Sequence, residues 1–179
     1  FFAGFEAETS ALLKDKTVAF VRDGLSVRWE FRVEDFPSFL ETAAAAADPP
    51  HAVLFDPFSP SANPAMWTAP LFSRLFRALA PGRPCSLATY SRSTMSRTAL
   101  LLAGFFVGAG EATGQKEETT VAANTPDLVA RPLGVRWLER AMRSSAAEPL
   151  WEPVYRQTPL TEETRRRLAA HPQFAGLSG

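Results

Sequence analysis

Apolar residues in this chain come in short runs that alternate with stretches of helical period, the arrangement expected of an α/β protein with a mainly parallel sheet. Runs with strand character lie at residues 1–5, 27–33, 52–55, 86–90, 105–109 and 119–123. Helices are predicted between them. Asp35 is placed to cap one that reaches about residue 47, with Pro37 tolerated in its first turn and the alanine run 43–47 finishing it. Thr68 is placed to cap a second, whose Leu71, Phe72, Leu75, Phe76 and Leu79 form one apolar stripe and belong to the core. Ser93 opens a third, which runs through Leu102 and closes at Gly104. The Gly-rich, charged connector between Ala109 and Val121 has the character of a hairpin, so the last two strands are expected to be antiparallel. Past Asn124 the alternation stops. An amphipathic segment follows Pro132, residues 146–159 look extended, and Thr161 caps a short basic helix with Glu162 and Glu163 in its first turn. The chain thus divides into residues 1–130 and an Arg-rich helical and extended tail, 131–179.

Composition narrows the classes. The 179 residues, 46% of them apolar, suit one domain with a sizeable core. No apolar run approaches the ~20 residues that span a bilayer and no cleavable signal is present, so a cytoplasmic protein without membrane contact is expected. The single cysteine, Cys85, excludes an internal disulfide and a Cys-based zinc cluster, and fits a small buried hydrophobe. His51 and His171 are far apart and have no partner motif, so no metal site is expected. The net charge of zero conceals an asymmetry. Residues 1–130 hold 11 Lys and Arg against 14 Asp and Glu, whereas residues 131–179 hold eight Arg against five Glu. The Arg165-Arg166-Arg167 triplet has the spacing of a solvated helix face, and Arg forks also suit phosphate.

The most informative stretch runs from Phe55 to Trp67. An acid, Asp56, ends the apolar run 52–55 and leads into a loop carrying Pro57, Pro60 and Pro64 together with Phe58, Ser59, Asn63 and Trp67. Ligands of open α/β sheets sit outside the carboxyl ends of the strands, so a strand-end carboxylate on a proline-stiffened loop is a candidate reacting group. The same Asp also suits a turn or a helix cap, and Trp67 also suits a core anchor.

Five segments occur in the order found in one family: Phe5-Glu6, Asp56-Pro57-Phe58-Ser59-Pro60, Asn63-Pro64-Ala65-Met66-Trp67, Ala88-Thr89-Tyr90-Ser91, and Gly114-Gln115-Lys116-Glu117-Glu118-Thr119-Thr120-Val121-Ala122. Over residues 1–124 the chain resembles the methyltransferase domain of the MnmC family, S-adenosylmethionine-dependent enzymes that finish the 5-methylaminomethyl modification of the wobble uridine in tRNA. The resemblance implies a Rossmann-like class I methyltransferase sheet, mainly parallel with a C-terminal antiparallel hairpin. It implies S-adenosyl-L-methionine as cofactor, S-adenosylhomocysteine as product and the tRNA anticodon stem-loop as partner.

Carried over by position, Glu6 resembles the acid at the end of the second strand that accepts the hydroxyls of the cofactor ribose, a task suited to a carboxylate facing two donors. Asp35, with Glu34 beside it, resembles the acid that reads the adenine amino group. Asp56 resembles the residue where donor methyl and acceptor meet. A sulfonium methyl is already activated, so the protein has to align an acceptor nitrogen and keep it unprotonated. Asp56 is expected to hold the amine and take its proton. Phe58 and Trp67 are expected to stack on the base or wall the pocket, with Ser59, Pro60 and Asn63 shaping the substrate side, and Lys116 to meet a tRNA phosphate.

The sequence departs from the family in one respect. No glycine-rich turn precedes Glu6, so the first strand and its cofactor turn are expected to be missing, and no flavin fingerprint marks an oxidoreductase half. Two other readings therefore stand beside a tRNA N-methyltransferase acting on 5-aminomethyl(-2-thio)uridine. One is an amino-methyltransferase with a different acceptor, since Asp56-Pro57-Phe58 loosely resembles the Asp-Pro-Pro-Tyr turn of nucleic-acid amino-methyltransferases. The other is a non-catalytic RNA-binding or scaffold protein that has lost the cofactor turn.

Overall fold

The computed structural model describes residues 3–42, 48–112 and 117–175. Two compact units divide between Asp35 and Phe36. In the first, helix α1 (Glu6–Asp15) ends at Lys16, whose left-handed backbone turns the chain into strand β1 (Thr17–Arg22). Strand β2 (Leu25–Glu30) pairs antiparallel with it. The turn between them is Asp23-Gly24, with φ of 52° and 78°, the mirror-image turn whose twist matches that of a hairpin. Phe5, Phe20 and Trp29 pack ring to ring, and the Arg22 guanidinium lies 4.0 Å from the Phe5 ring centre.

These observations correct the expected start of the sheet. Residues 3–5 form a turn and a helix cap, not a strand; Phe1 and Phe2 lie outside the described residues. The strand expected at 27–33 is the second arm of a two-stranded hairpin and ends at Glu30. The helix expected from Asp35 to residue 47 is a single turn, α2 (Phe36–Phe39), and residues 43–47 lie outside the described residues.

The second unit holds the α/β core. Strands β3 (Ala52–Leu54), β4 (Ser86–Thr89), β5 (Phe106–Gly110) and β6 (Thr119–Ala123) form a mixed sheet in the order β3-β4-β6-β5. β3 and β4 are parallel, whereas β6 is antiparallel to both β4 and β5. Three strands therefore share a direction, and the returning arm of the β5-β6 hairpin is slotted between β4 and β5. The connector of that hairpin includes residues 113–116, which are not described.

Helix α3 (Ala69–Ala78) begins at Thr68, whose hydroxyl accepts the Leu71 amide, and the predicted stripe is where it should be: Leu71, Phe72, Leu75 and Leu79 are buried and Phe76 is partly so. Full burial of a Leu or Phe contributes roughly 1.5–3 kcal/mol, which makes this face the chief attachment of the helix. Helix α4 (Thr94–Ala103) packs beside α3; Ser93 caps it by accepting the Ser96 amide, and Gly104 closes it at φ 108°.

Residues past 130 are part of the same core. Arg131-Pro132-Leu133 runs along the outer edge of β5, with the Ala109 amide donating to the Arg131 carbonyl and the Leu133 amide to that of Val107. Helix α5 (Val135–Arg143) buries Trp137 and Ala141. Helix α6 (Glu162–Ala169), capped by Thr161 as expected, buries Leu168 and packs against α4. The Glu148 carboxylate is buried and collects the Trp151 indole, the Thr161 amide and hydroxyl, and the Thr164 hydroxyl, tying the extended segment to α6. The compositional change at residue 130 thus marks a more basic surface on continuous packing.

Candidate active site

A cleft of about 260 Å³ opens at the carboxyl ends of β3 and β4, lined by Leu54, Asp56, Ala88, Thr89, Tyr90 and Thr119 among others. Two parallel strands end side by side here. The Phe55 amide donates to the Ala88 carbonyl at 2.8 Å, extending the ladder by one residue and holding Asp56 at the rim. Asp56 is exposed at the mouth of the cleft.

The loop behind it is tightly held. Phe55 is buried and packs against Trp67 and Phe72 at centroid distances of 5.4 Å. Trp67, 2% exposed, donates its indole N–H to the Phe58 carbonyl at 3.1 Å. That bond fixes Phe58 in a left-handed backbone (φ 64°), a conformation costing ~1–2 kcal/mol for a residue with a Cβ. The Phe58 ring is left 78% exposed. Ser59 starts a turn, its carbonyl accepting the amides of Ala62 and Asn63, and its hydroxyl lies 3.0 Å from that of Ser61. Asn63 precedes a 3-10 turn, Pro64–Trp67, without donating or accepting a side-chain cap bond. Pro60 lies in the same turn, half-buried. The structure thus separates two residues that the sequence placed together. Phe58 offers a ring to solvent beside Asp56, whereas Trp67 is a core residue that anchors the loop and has no face free to stack on a base.

Tyr90 and Thr89 line the cleft with Asp56 and were not among the predicted site residues. The signal was available, because Tyr90 follows the run of β4 as Asp56 follows that of β3. Lys116 lies outside the described residues.

The predicted cofactor acids are placed otherwise than expected. Glu6 is not at the end of a strand; it opens α1, and both carboxylate oxygens accept the Gly4 amide, at 3.0 and 3.1 Å. That backbone bond, with its own amide second, holds the Glu6 pKa below the ordinary carboxylate value. The side chain closes the turn that leads into α1. Glu34 lies 3.8 Å from Arg32, and Asp35 is the last residue of the first unit, beyond the end of β2. Among the described residues no glycine-rich turn follows a strand. Gly24 makes the hairpin turn and Gly104 the end of α4. Gly108 lies on β5, where a Cβ would sit 2.5 Å from the Arg131 carbonyl. The described residues therefore supply a cleft at the strand ends and do not by themselves form a glycine-rich cradle for S-adenosyl-L-methionine. They also bring together no group of three His, Cys, Asp or Glu side chains for a metal, and no helix among them is long and apolar enough to cross a membrane.

Comparison with known proteins decides the family. The family described as S-adenosyl-L-methionine-dependent methyltransferase matches residues 13–125, well over half of the chain. The chain belongs to this family. S-adenosyl-L-methionine is accordingly its cofactor class, and the match includes Asp35 and the whole Asp56 to Trp67 block while beginning after Glu6. Among curated proteins, the tRNA 5-methylaminomethyl-2-thiouridine biosynthesis bifunctional protein MnmC of Methylibium petroleiphilum is 40% identical over 86 residues, 48% of this chain and 13% of that protein. The protein of the same name from Cupriavidus necator is 34% identical over 122 residues, 66% of this chain and 18% of that protein. The crystal structure of MNMC2 from Aquifex aeolicus matches with a TM-score of 0.61 and 25% identity, covering 90% of this chain and 50% of that one. The resemblance to MnmC drawn from the motifs is met by these relatives. The chain spans less than a fifth of the length of these two curated relatives and half that of the solved one.

Proposed function

We propose that this methyltransferase acts on tRNA, methylating the side-chain amine of 5-aminomethyl(-2-thio)uridine at the wobble position. The observation that carries the reading is the Asp56 to Phe58 rim. An exposed carboxylate and an exposed aromatic ring stand on one stiffened loop, beside an apolar cleft, at the carboxyl ends of two parallel strands. The MnmC relatives, whose name states tRNA 5-methylaminomethyl-2-thiouridine biosynthesis, supply the substrate class.

Each group has a task on the acceptor side. An alkyl amine is mostly cationic at neutral pH and must lose a proton before it attacks. Asp56 hydrogen-bonds the amine, orients its lone pair and accepts that proton; because a carboxylate also stabilises the ammonium form, orientation is the larger part of its contribution. Phe58 offers a face on which an unstacked uracil rests, with Ser59, Pro60 and Asn63 keeping its loop in one conformation. Asp35 and Glu34 are assigned to the adenine of the cofactor, and Lys116 to a tRNA phosphate. We do not retain Glu6 as the ribose acid.

The test is methyl transfer from labelled S-adenosylmethionine by the complete gene product to tRNA from cells lacking the final wobble methylation. Label at that uridine is the expected result. Cofactor binding without label would overturn the substrate assignment in favour of another amine acceptor; RNA binding without cofactor binding would make the protein a non-catalytic RNA-binding one.

A further inference from the structure

A second concave surface lies beside the cleft, on the other side of the start of β6. It is a groove of about 340 Å³ whose lining includes Arg97, Glu118, Arg131, Arg136 and Arg140. The two surfaces meet at adjacent residues, since Thr119 lines the cleft and Glu118 the groove.

The four guanidinium groups are not equivalent. Arg97 is 2% exposed and its charge is spent within the fold. It pairs with Glu118 at 2.9 Å and donates to the Thr120 hydroxyl and the Thr119 carbonyl. Arg131 donates to the Gly110 carbonyl and pairs with the exposed Glu111. Arg136 and Arg140 are different: both are exposed, and neither forms a hydrogen bond or ion pair with any described residue. They stand four apart on α5, so they share a face, and like charges at that spacing cost a helix a few tenths of a kcal/mol instead of supporting it. Charges of both signs act on Arg97 at the floor of the groove. Burial lowers the pKa of Arg97 and Glu118 opposes this, while Arg140 and the exposed Arg92 push it in the same direction as burial. α5 also begins at Gly134 without a side-chain cap, which leaves the positive end of its dipole at the groove.

Resting on the tRNA reading above, we propose that this groove binds the phosphodiester backbone of the tRNA substrate, with Arg136 and Arg140 as its phosphate-contacting groups. A planar fork of fixed donors matches phosphate oxygens, and two unspent forks on one helix face offer two contacts along a strand. The groove adjoins the Asp56 cleft, so a backbone seated there leads a neighbouring nucleotide toward the cleft. Such contacts position the RNA and carry no base specificity.

Binding of undermodified tRNA by the complete gene product, measured at several salt concentrations, tests this. Removing two phosphate contacts with Arg136→Gln/Arg140→Gln should weaken binding about tenfold near physiological salt and flatten the dependence of log affinity on log salt by about 1.5–2. Arg77→Gln/Arg166→Gln, which removes the same charge outside the groove, should leave the slope unchanged. Thermal melts of both variants check that each is folded. Tight wild-type binding that the groove variant leaves intact, slope included, would overturn the groove assignment while leaving the tRNA reading standing. Equal weakening by both pairs would reduce the effect to net charge and overturn it too. A wild-type protein that binds no tRNA, but does bind an acidic peptide through the groove, would overturn both.

Discussion

At the scale of single residues, the exposed ring of the candidate site is set by one side-chain hydrogen bond and one strained backbone. Phe58 keeps φ at 64° because its carbonyl is taken by the Trp67 indole. Phe58→Gly should therefore raise stability by ~1 kcal/mol, since glycine adopts that conformation freely, while weakening the acceptor's binding. Denaturant midpoints and KM read the two effects, and a destabilised variant would show that the exposed ring is packing. Trp67→Phe removes the bond and leaves a void where the larger indole packs on Phe55 and Phe72, and should cost about 2–3 kcal/mol. His171 gives a pH-dependent signal. It is buried between Phe106 and Phe174, and burial holds its pKa below the usual 6.5. The folded imidazole resists a proton that the unfolded chain accepts, so stability should be intact above about pH 6.5 and decline as pH falls below it. An NMR titration of His171 checks the sign, and a midpoint at or above 6.5 would contradict it. Asp56 could be found in the sequence because it ends an apolar run before three prolines. Trp67 suited both a core anchor and a stacking platform, because an aromatic residue on a loop reads the same whether it faces solvent or core, and its burial decides for the anchor.

At the scale of elements, three helices were legible because stripe or cap marked their starts, and the four core strands because their apolar runs are short and well bounded, whereas α1 and the shortness of α2 were not. Thr68, Ser93 and Thr161 all cap as their spacing implies. The first arm of the first hairpin was missed, although Val18, Phe20 and Asp23-Gly24 carry its alternation and its turn, because the more apolar run at residues 1–5 has the stronger strand character. Strand order is a different matter. Slotting β6 between β4 and β5 depends on pairings between residues distant in sequence, which no local pattern encodes. The edge of β5 offers a test. At Gly108 a Cβ would lie 2.5 Å from both the Arg131 carbonyl and Val129, so Gly108→Ala must push the 129–133 segment outward and should cost about 1–3 kcal/mol. Unchanged stability would show that this edge is not closely packed.

At the scale of the molecule, the Asp56 cleft and the basic groove sit on one compact α/β unit, and the family match ties most of that unit to S-adenosyl-L-methionine. The arginine excess after residue 130 was visible in composition, but its two working members were not. The triplet at Arg165 to Arg167 drew attention, yet Arg165 donates to the Leu160 carbonyl and Arg167 lies 5.7 Å from the centre of the Trp151 ring. Arg136 and Arg140, which read as ordinary amphipathic spacing, face the groove instead. The central claim is that Asp56 serves the acceptor amine. The most direct measurement compares wild type and Asp56→Ala in the complete gene product, by single-turnover methyl transfer to undermodified tRNA and by calorimetry of S-adenosylmethionine binding. The account predicts a rate loss of about 100-fold or more with cofactor affinity almost unchanged. A parallel loss of cofactor affinity would move Asp56 to the cofactor's side, and an unchanged rate would remove it from the chemistry.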